Sequence, residues 1–99
     1  ANFLQSEGHE ILERNWRTKF CEIDIISRHN QTVYFTEVKY RKNARHGDGL
    51  AAVTTKKQRQ MRFAAELYMA RLPDDIQGVL AAASVSGGGF ALDEWIKIV

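Results

Sequence analysis

Apolar and polar residues alternate along two neighbouring stretches, residues 20–26 and 32–41. Both are rich in Ile, Val, Phe, Tyr and Thr, and the period of two predicts a β-strand in each. Between them lie Arg28, His29, Asn30 and Gln31. Asn30 tolerates the positive φ of a tight turn, so the pair is predicted to form an antiparallel hairpin. Residues 1–7 read as the end of a helix, closed by Gly8 as its C′ residue. Residues 9–17 read as a strand with Ile11 and Trp16 directed to the core; a surface Trp16 stacking on a base is the alternative. A helix is predicted from Thr54 or Thr55 to Leu72, with a Thr as N-cap. Its apolar stripe is Met61, Ala64, Ala65, Leu67, Tyr68 and Leu72. Pro73-Asp74-Asp75 ends it; residues 76–84 read as a strand, though their alanines also permit helix, and residues 90–99 read as another strand.

The hairpin carries an unusual set of charges. Side chains alternate faces along a strand, so Glu22 shares a face with Asp24, and Glu37 shares one with Lys39. A two-residue loop at Asn30-Gln31 sets Asp24 opposite Glu37, and one at His29-Asn30 makes them diagonal neighbours. Either loop leaves the acids on one face, roughly 5 to 8 Å apart at Cβ. A three-residue loop would separate them onto opposite faces. The other face, with Ile23, Ile25, Val38, Cys21, Thr36 and Tyr34, is core-like. Two carboxylates placed together need compensation, because like charges across a ladder are destabilising and a buried unpaired carboxylate is costly. Lys39 is one candidate. A hard cation such as Mg²⁺, which prefers oxygen ligands, is another. A solvated face with weak surface ion pairs is the simpler alternative.

A chain of 99 residues is one domain with a thin core. It has no apolar run of membrane-spanning length, and its first residues lack the features of a signal peptide. One cysteine, Cys21, excludes an internal disulfide and suits a reducing cytoplasm, where an inert core thiol is expected. The net charge of +2 conceals an uneven distribution. Lys39, Arg41, Lys42, Arg45, Lys56, Lys57, Arg59 and Arg62 fall in one segment, opposed there only by Asp48. Such a segment binds phosphates even when the total charge is near zero. Residues 43–49 form a polar, glycine-bearing loop just after the strand of Glu37 and Lys39; His46 on it is a proton donor or a phosphate contact if it is not simply solvated.

Asp24, twelve intervening residues and then Glu37-Val38-Lys39 resemble the signature of the PD-(D/E)XK nuclease superfamily. The text around it is more specific. Ile11 to Arg17, Glu22 to Ile26, Phe35 to Arg41, Ala52-Val53-Thr54 and Lys57-Gln58 are similar to the YraN family of small bacterial proteins, grouped with archaeal-type Holliday-junction resolvases. The family carries Gly where this chain has Cys21. It also carries an upstream helix with a Gly and a Glu, so the expectation is a single nuclease-like domain, residues 1–99, with a truncated N-terminal helix.

The resemblance implies an α/β fold: a restriction-endonuclease-like mixed central β-sheet of about five strands flanked by helices. It implies a metal-dependent endonuclease that hydrolyses phosphodiesters in DNA, branched or junction DNA included. Asp24 and Glu37 would hold Mg²⁺ or Mn²⁺, with the Val38 carbonyl as a further ligand and Glu22 as an acid behind them. Lys39 would act on the attacking water or the scissile phosphate. Lys57 and Gln58 match the helix positions that reach such sites, with Gln58 positioning water or phosphate. Arg41, Lys42, Arg45, Lys56, Lys57 and Arg59 would contact backbone phosphates. The expected partner is nucleic acid, with no membrane, and a homodimer would supply the two sites a junction needs. Two other classes stay open: an inactive nucleic-acid-binding module, and a protein-interaction domain on the same fold.

Overall fold

A computed structural model of the protein describes residues 2–41, 54–86 and 91–98. The elements run α1 (Asn2–Ser6), β1 (Glu10–Arg17), β2 (Glu22–His29), β3 (Thr32–Arg41), α2 (Thr55–Met69), β4 (Gln77–Ser86) and β5 (Ala91–Lys97). The five strands form one sheet in the order β1-β2-β3-β4-β5. Neighbours are antiparallel except β3 and β4, which are parallel and joined through α2. A parallel pair needs such a crossover, because a short turn cannot return the chain to the same end of the sheet. This is the expected mixed α/β sheet flanked by helices, of the restriction-endonuclease-like kind.

Local chemistry explains the element ends. Gly8, at φ 91°, takes a positive φ between α1 and β1, and Asn30, at φ 56°, takes one in the β2–β3 turn. Pairing of His29 with Thr32 makes Asn30-Gln31 the two-residue loop of the hairpin. Thr54 is the N-cap of α2, its hydroxyl accepting the Lys57 N–H at 3.1 Å. Thr18 closes the β1–β2 connection: its hydroxyl accepts the N–H groups of Phe20 and Cys21 and donates to the Cys21 carbonyl. β1 meets β2 through a register shift between Ile11 and Glu13, and Asn15 stands at φ 52°.

One face of the sheet is packed by α2. Ile26, Val33, Phe35, Leu80 and Ala82 meet Met61, Ala64, Ala65 and Tyr68, with Trp16 and Cys21 partly buried at the margin. Leu67, expected on this stripe, is instead half-exposed. The inward arc is filled by Met61, Ala64, Ala65 and Tyr68, and Leu67 falls beside it. The opposite face holds buried Tyr34, Thr36 and Ser27. There His9 Nδ1 lies 2.9 Å from Ser27 Oγ, its ring stacked on His29, and Trp95 Nε1 donates to Thr36 Oγ1. Burial first, and the neighbouring His29 second, push the His9 imidazole below its ordinary value. A neutral ring suits that apolar, aromatic setting. No helix among the described residues is long and apolar enough to cross a membrane.

Candidate active site

The hairpin register brings Asp24 and Glu37 together. Pairs run from His29 with Thr32 to Ile25 with Thr36, and the next pair in that sequence is Asp24 with Glu37. The regular ladder stops just short of it. Val38 N–H donates to Asp24 Oδ2 at 2.7 Å instead of to a backbone carbonyl of β2. The carboxylate thus occupies a ladder position, which fixes its orientation. The N–H and C=O of one strand residue face the same neighbour, so the Val38 carbonyl lies on the Asp24 side too.

Glu37 shares its face with Phe35, two residues earlier, and so stands under α2. Only 9% of it is exposed. Two lysines approach it from different elements. Lys39 Nζ is 3.9 Å from Oε1, and Lys57 Nζ is 3.3 Å from Oε2. The Lys57 approach is an ion pair without hydrogen-bond geometry, and Oε2 is buried with no hydrogen-bond partner among the described residues. Asp24 is half-buried, and burial pushes its carboxyl above the ordinary carboxylate range. The Val38 N–H opposes that shift, Glu22 adds to it, and Lys57 and Lys39 oppose it. Burial also pushes the adjoining Cys21 thiol up, against the charge of Lys57, a direction that disfavours the thiolate and accords with a core thiol.

Ser84 was not singled out by the sequence. On β4 it pairs with Lys39, which puts it on the face of Glu37, and its hydroxyl is buried without a partner among the described residues. Nothing in an alanine-rich strand marks one serine as belonging beside a distant acid. Ser84→Ala is expected to raise unfolding stability by about 1 kcal/mol, read by urea denaturation, because it removes an unsatisfied buried hydroxyl.

The other expected site residues are distributed more widely. Glu22 accepts from Arg17 Nε at 3.0 Å in an exposed pair, while still acting electrostatically on Asp24. Gln58 is half-buried and follows Lys57 in the first turn of α2. Lys56 and Arg59 are exposed on that helix. The side chain of Arg41 lies outside the described residues, as do Lys42, Arg45 and His46.

The donor set fits a hard divalent cation. It comprises two carboxylates, one with an unsatisfied buried oxygen, and a backbone carbonyl on the same edge. Mg²⁺ is usually held by one or two carboxylates, with water and substrate phosphate completing its shell. No group of three or more His, Cys, Asp or Glu side chains suited to a metal occurs among the described residues. A cleft lined by Arg62, Ala65, Glu66, Met69, Gly78 and Leu80 lies at the other edge of α2 and includes neither acid.

Comparison with known proteins places this geometry in context. The family described as "Uncharacterised protein family UPF0102" matches residues 1–85. A UPF0102 protein of Lachnoclostridium phytofermentans is 43% identical over 75% of this chain and 64% of its own length. Two UPF0102 proteins of Nitrosomonas europaea are 39% and 37% identical, over 96% and 98% of this chain and 80% and 82% of their own lengths. The chain therefore spans about two thirds to four fifths of the length of these relatives.

Proposed function

The chain belongs to the UPF0102 (YraN) family, and from that premise we propose that it is a divalent-metal-dependent endonuclease hydrolysing phosphodiesters in DNA. The observation that carries the reading is Glu37, a buried carboxylate whose Oε2 meets the Lys57 ammonium at 3.3 Å but has no hydrogen-bond partner among the described residues, beside Asp24, a second carboxylate whose pKa is raised by burial. A buried and a half-buried carboxylate brought to one place, their charge only partly offset by lysines, suit a bound cation better than a closed structural ion pair.

Asp24 and Glu37, with the Val38 carbonyl, would hold Mg²⁺ or Mn²⁺. When bound, such an ion supplies Lewis-acid polarisation of a phosphoryl oxygen and a water of lowered pKa. The chain's own groups do the rest. Val38 N–H keeps Asp24 in one orientation. Lys57 offsets part of the negative charge from the α2 side. Lys39, its side chain about one-third exposed and 3.9 Å from Glu37, would orient the attacking water or stabilise charge on the phosphate. Gln58 adds a polar group in the turn that carries Lys57. Exposed Lys56 and Arg59 hold the nucleic-acid backbone without reading sequence. Glu22 acts on Asp24 through its charge alone. A homodimer would present two such sites to a four-way junction. A lone free thiol fits the cytoplasm, where these substrates occur.

The test is cleavage of end-labelled duplex, flap and four-way-junction DNA by the protein and by its Asp24→Asn, Glu37→Gln double variant. Cleavage that requires Mg²⁺ or Mn²⁺, stops in EDTA and is absent from the double variant is expected. Salt-sensitive DNA binding without cleavage would replace the enzyme with a binding module. Neither binding nor cleavage would leave a protein-interaction domain.

A further inference from the structure

Among the described residues, the exposed large hydrophobic side chains are Phe63, 48% exposed, and Leu67, 51% exposed. They stand four apart on α2 and so share one edge of the helix. The inward stripe of α2 is complete without them. Phe63 does not point into open water. Its ring stacks on that of Phe20, with centroids 5.3 Å apart and 28° between the planes. Phe20 is itself held firmly, because its N–H and that of Cys21 are bound by the Thr18 hydroxyl in the β1–β2 connection. Lys19 Nζ lies 5.5 Å from the Phe20 ring centroid.

The aromatic pair is linked to the acids through the chain and through α2, which carries both Phe63 and Lys57, the ion-pair partner of Glu37. Phe20 is bonded in sequence to Cys21, whose thiol feels the charges of Lys57, Glu37 and Asp24. The surrounding charge is mostly positive. Lys19, Lys56, Arg59 and Arg62 are all exposed, and the first turn of α2 holds no acid; Glu66 is the acid further along the helix. An exposed, rigidly seated aromatic face within a basic surface is complementary to a nucleobase joined to phosphates. A duplex cannot offer it one, because its base faces are already stacked.

We propose that Phe63, backed by Phe20, is a stacking platform for an unpaired nucleobase next to the phosphodiester held at Asp24 and Glu37, so that the substrate class is nucleic acid with unpaired nucleotides at the cleavage point. The inference rests on the nuclease reading for its phosphate position. It adds a base-binding site to that reading, and the site operates with or without metal. Lys19 contributes a cation over the backing Phe20 ring and an attraction for the adjoining phosphate. Every base has a π face, so this site favours unpaired strands without preferring a sequence.

The experiment measures binding of fluorescein-labelled single-stranded DNA, and of a blunt duplex of equal length, by fluorescence anisotropy in EDTA. The full chain is compared with its Phe63→Ala, Phe63→Leu and Phe63→Tyr variants. Phe63 is half-exposed, so each variant is expected to fold, which circular dichroism checks. Stacking predicts that the ratio of single-strand to duplex affinity falls about 5- to 150-fold in Phe63→Ala. Phe63→Leu follows it, and Phe63→Tyr keeps the original ratio. A ratio unchanged in Phe63→Ala overturns the proposal. So does a Phe63→Leu protein that binds single strands like the original, because an apolar contact then suffices. A concentration-dependent dimer that Phe63→Ala dissolves in sedimentation would assign the patch to a second copy of the chain. No binding of either DNA by the unaltered protein overturns this inference and the nuclease reading together. Metal-dependent cleavage without a single-strand preference overturns this inference alone.

Discussion

Asp24→Asn is expected to weaken Mn²⁺ and Mg²⁺ binding by more than about 100-fold, the loss exceeding that usual for groups behind the ligands, and to raise the Tm of the metal-free protein at neutral pH. Both effects come from one placement. Burial pushes the Asp24 carboxyl above its ordinary range, and neither the Val38 N–H nor the two lysines fully offset it. The folded protein therefore holds the Asp24 proton more tightly than the unfolded chain. The stability this contributes is complete below the ordinary carboxylate pKa and is lost as pH rises through the raised folded value. Near neutrality the ionised group is a burden on the fold. Asparagine keeps a carbonyl oxygen to accept the Val38 N–H and carries no charge. Melting curves in EDTA should therefore coincide in acid and separate above the carboxylate range, with the variant the more stable. Isothermal titration with Mn²⁺ reads the lost binding. A variant that binds metal as the parent does, or that melts lower at neutral pH, would remove Asp24 from the site.

Lys57→Met is expected to cost about 3 kcal/mol in urea denaturation, the low end for breaking a buried ion pair because the lysine side chain is a quarter exposed. Methionine preserves most of the packing along α2. What remains behind is the Glu37 carboxylate, 9% exposed, with Lys39 at 3.9 Å as its ion-pair partner among the described residues. Combining Lys57→Met with Glu37→Gln should recover a large part of the loss, since no charge is then left unpaired. Equal losses in the single and double variants would show that Lys57 stabilises through packing and not through Glu37. The pair also bears on chemistry. An ion bound by Glu37 competes with Lys57 for the same oxygen, so the calorimetric enthalpy of Mn²⁺ binding should differ between the parent and Lys57→Met.

Part of the site was legible before any fold was known. The alternation on either side of Asn30 indicated two strands, and the two-residue loop at Asn30-Gln31 was one of two that put Asp24 and Glu37 on one face. The observed pairing of His29 with Thr32 selects it. Thr54 as N-cap, Gly8 as a helix terminator and the order of elements were equally local matters. Each depends on turn chemistry or on a period of two or 3.6 residues, which a short window of sequence carries. The resemblance read from the segments between Ile11 and Gln58 is borne out as family membership, and the catalytic roles it implies rest on the experiments above.

The remainder needed the assembled sheet. Alternation could not say whether the face of Asp24 and Glu37 is solvated or covered, because that depends on where α2 packs. α2 covers it and delivers Lys57 across twenty residues of sequence. Periodicity placed Leu67 on the buried stripe and gave no special place to Phe63; the width of the stripe was decided by the side chains it meets. The parallel β3–β4 pairing set Ser84 beside Lys39, and β5 brought Trp95 to Thr36. Sequence by itself determined which residues are strand, turn, cap and acid, because those depend on neighbours along the chain. Tertiary structure decided which charges are buried, which polar atoms are left without partners and which aromatics face outward, because those depend on what packs against them.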